Sequence, residues 1–171
     1  VSKNTVADLW SRHIADSAQV FAAVPTESVR SWVDLGSGGG FPGLVVAILA
    51  RELQPGLQVT RVESDLRKAT FWRQAAQSLK LSVVVHSARI ETLALQEADV
   101  LSARALAPLS DLLRYAERHL RAGGVAVCPK GARFASELED ARKLWTFDVD
   151  TQPSLSDSEA ALLVIRNIHR H

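Results

Sequence analysis

The short apolar run Trp32-Val-Asp-Leu35 leads without a spacer into Gly36-Ser-Gly-Gly-Gly-Phe-Pro-Gly43, five glycines in eight residues. Such a stretch suits an abrupt turn rather than the interior of a helix or strand. Glycine adopts positive φ without steric cost and lets another group approach the backbone with no Cβ in the way. Pro42 fits the first position of a helix, where its missing N–H costs nothing. The segment therefore predicts a strand, a tight ligand-facing turn over 36–40, and a helix from Pro42.

The same alternation recurs down the chain. Short β-rich runs at 57–62, 83–86, 98–103, 125–128 and 162–168 are separated by helical stretches over 67–79, 109–120 and 134–144, with a turn at Gly123-Gly124. Strands covered on both faces read as continuous apolar runs, so the pattern predicts an α/β, Rossmann-like domain with a mostly parallel, doubly wound sheet. Val6, Leu9, Trp10, Ile14, Ala18 and Phe21 recur at helical spacing and predict an amphipathic helix ending before Pro25. With no repeat and no linker, the 171 residues are expected to form one domain: an N-terminal helical element over 1–30 and a core over 31–171. Ligands in such sheets bind beyond the carboxyl ends of the strands, where the strand order reverses.

Several function classes are excluded. The longest apolar run, 43–50, ends at Arg51 and is far shorter than the roughly 20 residues of a membrane span. Residues 1–8 do not read as a secretory signal. A single cysteine, Cys128, permits no internal disulfide and fits a reducing compartment, so the protein is expected in the cytoplasm. Cys128 itself reads as a small buried apolar residue, because no partner motif surrounds it. A net charge of +1 argues against a surface coated in positive charge for indiscriminate nucleic-acid binding, though not against a local basic patch. The chain starts at Val1 and has no methionine, which predicts a longer product lacking an N-terminal piece.

Three ligand classes compete for the glycine-rich turn. A dinucleotide fingerprint starting at Gly36 and Gly38 needs glycine at position 41, which is Phe41. A phosphate-binding loop counted from Gly38 reaches Gly43 but then has Leu44 in place of its lysine. Alternating glycines after an acidic residue suit a ligand with an adenosine and no phosphates, of which S-adenosylmethionine is the common example. Glu63, closing the second strand, is the residue expected to hold ribose hydroxyls. Taken singly, the glycines could be only a turn and Glu63 only a surface carboxylate; together they are far more specific. A nicotinamide-dependent reductase would bring a tyrosine with lysine four residues later, whereas the only tyrosine, Tyr115, is followed at that spacing by His119.

With these features in place, the chain resembles the bacterial small-subunit ribosomal RNA 7-methylguanosine methyltransferases, also called glucose-inhibited division protein B. The similar segments are Trp10-Ser-Arg-His-Ile-Ala-Asp-Ser17, Val33 to Gly43, Val62-Glu-Ser64 with Lys68, Arg89-Ile-Glu91, Ser102-Ala-Arg-Ala105 and Pro129-Lys-Gly131, in that order along nearly the whole chain. The resemblance implies a class I S-adenosylmethionine-dependent fold, with Gly36, Ser37, Gly38, Gly40, Phe41, Glu63 and Ser64 around the cofactor. It further implies Ile90 and Glu91 near the adenine and Arg104 near the cofactor's methionine end or the target. Family members carry more helical sequence before the Arg-His-x-x-Asp-Ser element, which agrees with an N-terminal truncation.

The implied reaction is methyl transfer to a guanine N7 in 16S rRNA, either as RNA or in the assembled small subunit, by a monomer. Displacement at a sulfonium asks mainly that donor and acceptor be held in line. Guanine N7 carries no proton, so no general base is assigned, and no metal is expected. The base must come from an accessible, largely unpaired segment held by stacking and cationic contacts. Arg12, His13, Arg104 and Lys130 are the expected RNA contacts. Blander readings stand beside them: His13 could bond to Asp16, Lys130 could be a solvated lysine, and Arg67, Lys68 and Arg73 could be a solvated helix face. The competing functions are an inactive methyltransferase-fold RNA-binding or assembly module and a methyltransferase for a protein or small molecule.

Overall fold

Strand β1 (Ser31–Leu35) runs through the middle of a seven-stranded sheet, buried along nearly its whole length. The computed structural model describes residues 9–25, 27–36 and 39–171, without the side chains of residues 11 and 12. After a π-helical segment, Leu9–Ala15, come α1 (Asp16–Ala22), β1, α2 (Gly43–Leu53), β2 (Gln58–Val62), α3 (Leu66–Ser78) and β3 (Val83–His86). A single 3-10 turn, Ile90–Thr92, precedes β4 (Ala98–Ala103), α4 (Leu109–His119), β5 (Leu120–Lys130), α5 (Phe134–Arg142), β6 (Trp145–Pro153) and β7 (Ala161–Arg170). The sheet order is β3-β2-β1-β4-β5-β7-β6, parallel except for β7, which is antiparallel to both of its neighbours. The order reverses between β1 and β4.

Side chains alternate across the sheet and build two apolar layers. Val33, Leu35, Leu101 and Ala103 face Leu109, Leu112, Leu113 and Ala116 of α4 on one side. Trp32, Val59 and Val100 face Val20 and Phe21 of α1, Val46 and Ala50 of α2 and Ala76 of α3 on the other. Cys128 is buried, and burial pushes its thiol up to about 12, as suits an inert core residue.

One buried rung of this sheet is polar. Asp34 of β1 pairs in register with Arg61 of β2 and Ser102 of β4. The Arg61 guanidinium donates from Nη1 to Asp34 Oδ2, and the Ser102 hydroxyl donates to Oδ1 at 2.6 Å while accepting from Trp32 Nε1 at 2.9 Å. Trp72 of α3 closes over the guanidinium, 4.9 Å from its ring centre. Burial pushes the Asp34 carboxyl up; Arg61, Ser102 and the Gly43 backbone N–H pull it back. A Cβ at Gly43 would come within 2.9 Å of Asp34 Cγ, so glycine is what allows α2 to begin against this carboxylate.

Three sequence expectations shift. Helix α2 starts at Gly43, with Pro42 as the residue before its first turn. The Gly123-Gly124 turn lies inside a longer β5: Ala98 pairs with Leu120 and Val100 with Val125, so the glycines form a bulge, with Gly123 at φ 77°. Strand β6 was not expected at all. Its alternation of buried Trp145 and Phe147 with exposed Thr146 and Asp148 is that of an edge strand with one covered face.

Candidate functional site

Register brings the site residues to one edge. Leu35 lies beside Val62 and Ala103, and Val62 beside His86, so the residues that follow, Gly36, Glu63 and Arg104, all leave the sheet at the same level. Two cavities open there.

The smaller, about 380 Å³, lies beyond β1, β2 and β3 and is lined by Gly36, Ser64, Arg89, Ile90, Glu91 and Tyr115, among others. The Gly36 N–H bonds to the Val62 carbonyl at 2.9 Å, and a Cβ at Gly36 would fall on the Arg61 guanidinium. Glu63 follows Val62, a residue of this lining, but does not itself line either cavity: it is only 5% exposed, and its Oε1 accepts from the Asp65 N–H at 3.0 Å. Its Oε2 faces Arg61 Nη2 at 3.6 Å and has no hydrogen-bond partner among the described residues. Asp65 caps α3 by accepting from the N–H groups of Lys68 and Arg67, and these bonds, the one from Lys68 foremost, lower its carboxyl. Gly40 is buried at φ 95°, and a Cβ there would come within 3.1 Å of the Trp72 ring, so a side chain would be strained.

The larger cavity, about 820 Å³, lies beyond β4 and β5. His13, Asp16, Arg104, Lys130 and Glu137 line it, and Leu106 lines both cavities. His13 stacks on Phe41 with ring centres 5.4 Å apart, and Arg104 donates from Nη2 to its Nδ1. The N-terminal helical segment, the glycine-rich turn and the end of β4 thus meet at one point. The Asp16 carboxylate accepts from the hydroxyls of Ser156 at 2.7 Å and Ser154 at 3.3 Å rather than from His13, which meets Arg104 and Phe41 instead. Gln19 clamps the β6–β7 loop, donating to the Pro153 carbonyl at 2.8 Å and accepting from the Leu155 N–H at 3.1 Å.

Lys130 is not a solvated lysine. Its side chain is 9% exposed, and its ammonium donates to Glu137 at 2.6 Å and to the Ala107 carbonyl at 2.9 Å; Glu137 also accepts from the Leu109 N–H at the start of α4. Arg67, Lys68 and Arg73 are exposed on α3, the solvated face that is the default for such a cluster. Ser37, Gly38 and the side chain of Arg12 lie outside the described residues. Sequence reasoning missed Arg61, Ser102 and Tyr115. The first two follow from register with Asp34, which no local motif encodes, and Tyr115 was weighed only against a reductase pattern.

The GidB family model, rRNA small subunit methyltransferase G, matches residues 1–165. The chain belongs to the rRNA small subunit methyltransferase G family. It is 52% identical over 170 residues to the ribosomal RNA small subunit methyltransferase G of Ruegeria pomeroyi and 49% identical over 170 residues to that of Ruegeria sp. strain TM1040, covering 99% of this chain and 82% of each relative. Among solved structures, a SAM-dependent methyltransferase from Aquifex aeolicus superposes with a TM-score of 0.69 at 13% identity, covering 95% of this chain and 94% of the other. A SAM-dependent O-methyltransferase from Thermotoga maritima gives 0.68 at 12% identity, over 98% and 72%. These structures share the fold, the class I methyltransferase architecture expected from the strand and helix pattern. Membership of the rRNA small subunit methyltransferase G family bears out the family and the reaction class expected from the sequence. Among the described residues, no helix is long and apolar enough to cross a membrane.

Proposed function

We propose that this chain transfers a methyl group from S-adenosylmethionine to N7 of a guanine in small-subunit rRNA, with the cofactor's adenosine in the smaller cavity and the base entering the larger one. The observation that carries the reading is that the two cavities lie side by side on the carboxyl edge of the sheet and share Leu106. A donor in one and an acceptor in the other would approach each other there.

The residues suit the cofactor. Glu63 Oε2 is a buried acceptor with no hydrogen-bond partner among the described residues, as a site for a ribose hydroxyl requires. Gly36 and Gly40 put no side chain into the turn at those two positions, and Ser64, Ile90 and Glu91 line the adenosine side. The bound sulfonium would supply the methyl group. The protein's part is positioning: Phe41 and His13 form a stacked pair beside Arg104, whose guanidinium orients either the methionine end or the incoming RNA. Arg12 and Lys130 complete the RNA side of the proposal, Lys130 chiefly by holding the Ala107 carbonyl and Glu137 in place. No proton has to leave guanine N7, so no side chain is assigned as a base. The chain acts as a single domain, as a monomer, in the cytoplasm.

Calorimetric titration with S-adenosylmethionine, with NADH as control, followed by labelled methyl transfer to small ribosomal subunits, tests the proposal. Saturable binding of S-adenosylmethionine alone and label recovered as 7-methylguanosine are expected. Folded protein that binds no S-adenosylmethionine would instead support a non-enzymatic RNA-binding module; label on protein or a small molecule would move the acceptor.

A further inference from the structure

The 3-10 turn Ile90–Thr92, which walls the smaller cavity, has little holding it from within. Its internal bonds are the N–H groups of Thr92 and Leu93 and the Thr92 hydroxyl, all converging on the Arg89 carbonyl at 3.1 to 3.2 Å. It carries no side-chain cap. What fixes it comes from α4.

Tyr115, Arg118 and His119 fall at i, i+3 and i+4 and so share one face of that helix. Each makes one hydrogen bond to the turn region. The Tyr115 hydroxyl donates to Glu91 Oε1 at 2.8 Å, Arg118 Nη2 donates to the Leu93 carbonyl at 3.0 Å, and His119 Nε2 donates to the Ile90 carbonyl at 3.1 Å. His119 is fully buried, and burial lowers its pKa, so the ring is held neutral with its proton on Nε2. Its Nδ1 has no hydrogen-bond partner among the described residues. A histidine buried at that cost, when leucine would fill a core position more cheaply, calls for a compensating role, and its one bond to Ile90 supplies it. Leucine on neighbouring faces of α4 anchors the helix in the core: Leu109, Leu112 and Leu113 are all buried.

We propose that the Tyr115-Arg118-His119 face of α4 is a clamp that preorganises the Ile90–Thr92 turn for the adenosine end of the cofactor. It rests on the cofactor reading of the smaller cavity. Tyr115 and His119 are positioning residues: they act by fixing the Glu91 carboxylate and the Ile90 backbone before the cofactor arrives, which removes the ordering cost from binding. The first helical turn of α4 is fixed separately by Glu137 at the Leu109 N–H, so the clamp sits on a helix secured at its other end.

The experiment compares Tyr115→Phe, His119→Leu and His119→Gln with the intact chain, measuring Kd for S-adenosylmethionine and S-adenosylhomocysteine, KM for S-adenosylmethionine and for small ribosomal subunits, kcat and Tm. Tyr115→Phe should weaken both cofactor forms equally, by about three- to tenfold, the worth of one hydrogen bond. The loss should fall on KM for S-adenosylmethionine and leave KM for the subunit unmoved. His119→Leu should weaken cofactor binding likewise, and His119→Gln, whose amide can still donate to the Ile90 carbonyl, should recover most of it. Unchanged cofactor affinity in both Tyr115→Phe and His119→Leu would overturn the clamp while leaving the cofactor reading intact. So would weakening matched by an equal rise in subunit KM, the mark of general loosening. Wild-type protein that binds neither cofactor form would remove the clamp together with the reading beneath it.

Discussion

Arg61→Met is the substitution with the most to say about how the site is held. The methionine keeps an unbranched stem beneath Trp72 and deletes only the guanidinium, from a side chain that is 1% exposed beside a fully buried Asp34. Asp34 would be left with the Ser102 hydroxyl and the Gly43 N–H and no countercharge. Stripping one partner from a buried ion pair costs about 3 to 5 kcal/mol. For a chain of this length that is about 6 to 20 °C of Tm, and a large share of a total stability of about 5 to 15 kcal/mol. Urea denaturation of Arg61→Met, Asp34→Asn and the double variant gives the coupling directly. In the Asp34→Asn background the arginine change should cost less, because position 34 no longer carries a charge and only Glu63, 3.6 Å from the guanidinium, loses its countercharge. The deficit of Arg61→Met should also narrow as pH falls. With its countercharge gone, the buried Asp34 has a folded pKa above its unfolded one, so the penalty is full well above that pKa and disappears once the carboxyl is protonated in both states. A cost below about 1 kcal/mol at neutral pH, or the same cost at pH 5 and pH 8, would refute the account of this rung as a tightly coupled buried pair.

Three further substitutions test other parts of the molecule. Burial pushes Asp99 up, but the Arg30 N–H, the Arg121 guanidinium and the N–H and hydroxyl of Ser31 more than reverse this and hold it at about 2. A carboxyl depressed on folding contributes stability above its unfolded pKa and loses it as pH falls, here between about pH 4 and pH 2, so Asp99→Asn should cost about 2 kcal/mol at pH 7 and flatten the acid limb of a pH–stability curve. Glu63→Gln should weaken S-adenosylmethionine binding about tenfold with little change in Tm, checked by calorimetry; unchanged affinity removes Glu63 from the ribose role. Arg104→Ala should reduce methyl transfer to small subunits far more than it reduces Tm, and full activity in that variant would end its assignment.

The glycine-rich turn and the strands around it were legible because they depend on local signals. The apolar runs at 83–86 and 98–103 coincide with β3 and β4, and the helical stretch beginning at Leu109 starts where α4 starts. The carboxyl-edge residues followed from the fold rule, since Gly36, Glu63 and Arg104 each come directly after a strand. Strand β6 was missed because its apolar residues are spaced by two and its other face is solvated, so no continuous apolar run announces it. The partners of the site residues were not legible, because they are set by pairing across strands and between distant elements. Arg61 lies 27 residues from Asp34 and Ser102 lies 68. Lys130 stands on the edge where it was expected, but its contact with Glu137 depends on how α5 packs, which no pattern around residue 130 reports.

The two halves of the proposed site, cofactor and acceptor, are held by different physics, and this predicts where it yields first. The cofactor side rests on a buried rung whose bonds lie in the dry interior, where an unmade bond is costly. The acceptor wall rests on the join between α1 and the β6–β7 loop, where Gln19 bonds Pro153 and Leu155 at exposed positions and Asp16 bonds Ser154 and Ser156 at half-buried ones. Hydrogen bonds that can exchange with water contribute only about 0.5 to 1.5 kcal/mol each. Local opening should therefore begin at this wall, well below the free energy of global unfolding. Gln19→Ala removes two of its bonds at once and should speed amide exchange at Leu155 while leaving exchange in β1 and β4 unchanged. Faster exchange in those central strands as well would mean that the wall and the sheet open as one unit, and that the acceptor side is no looser than the cofactor side.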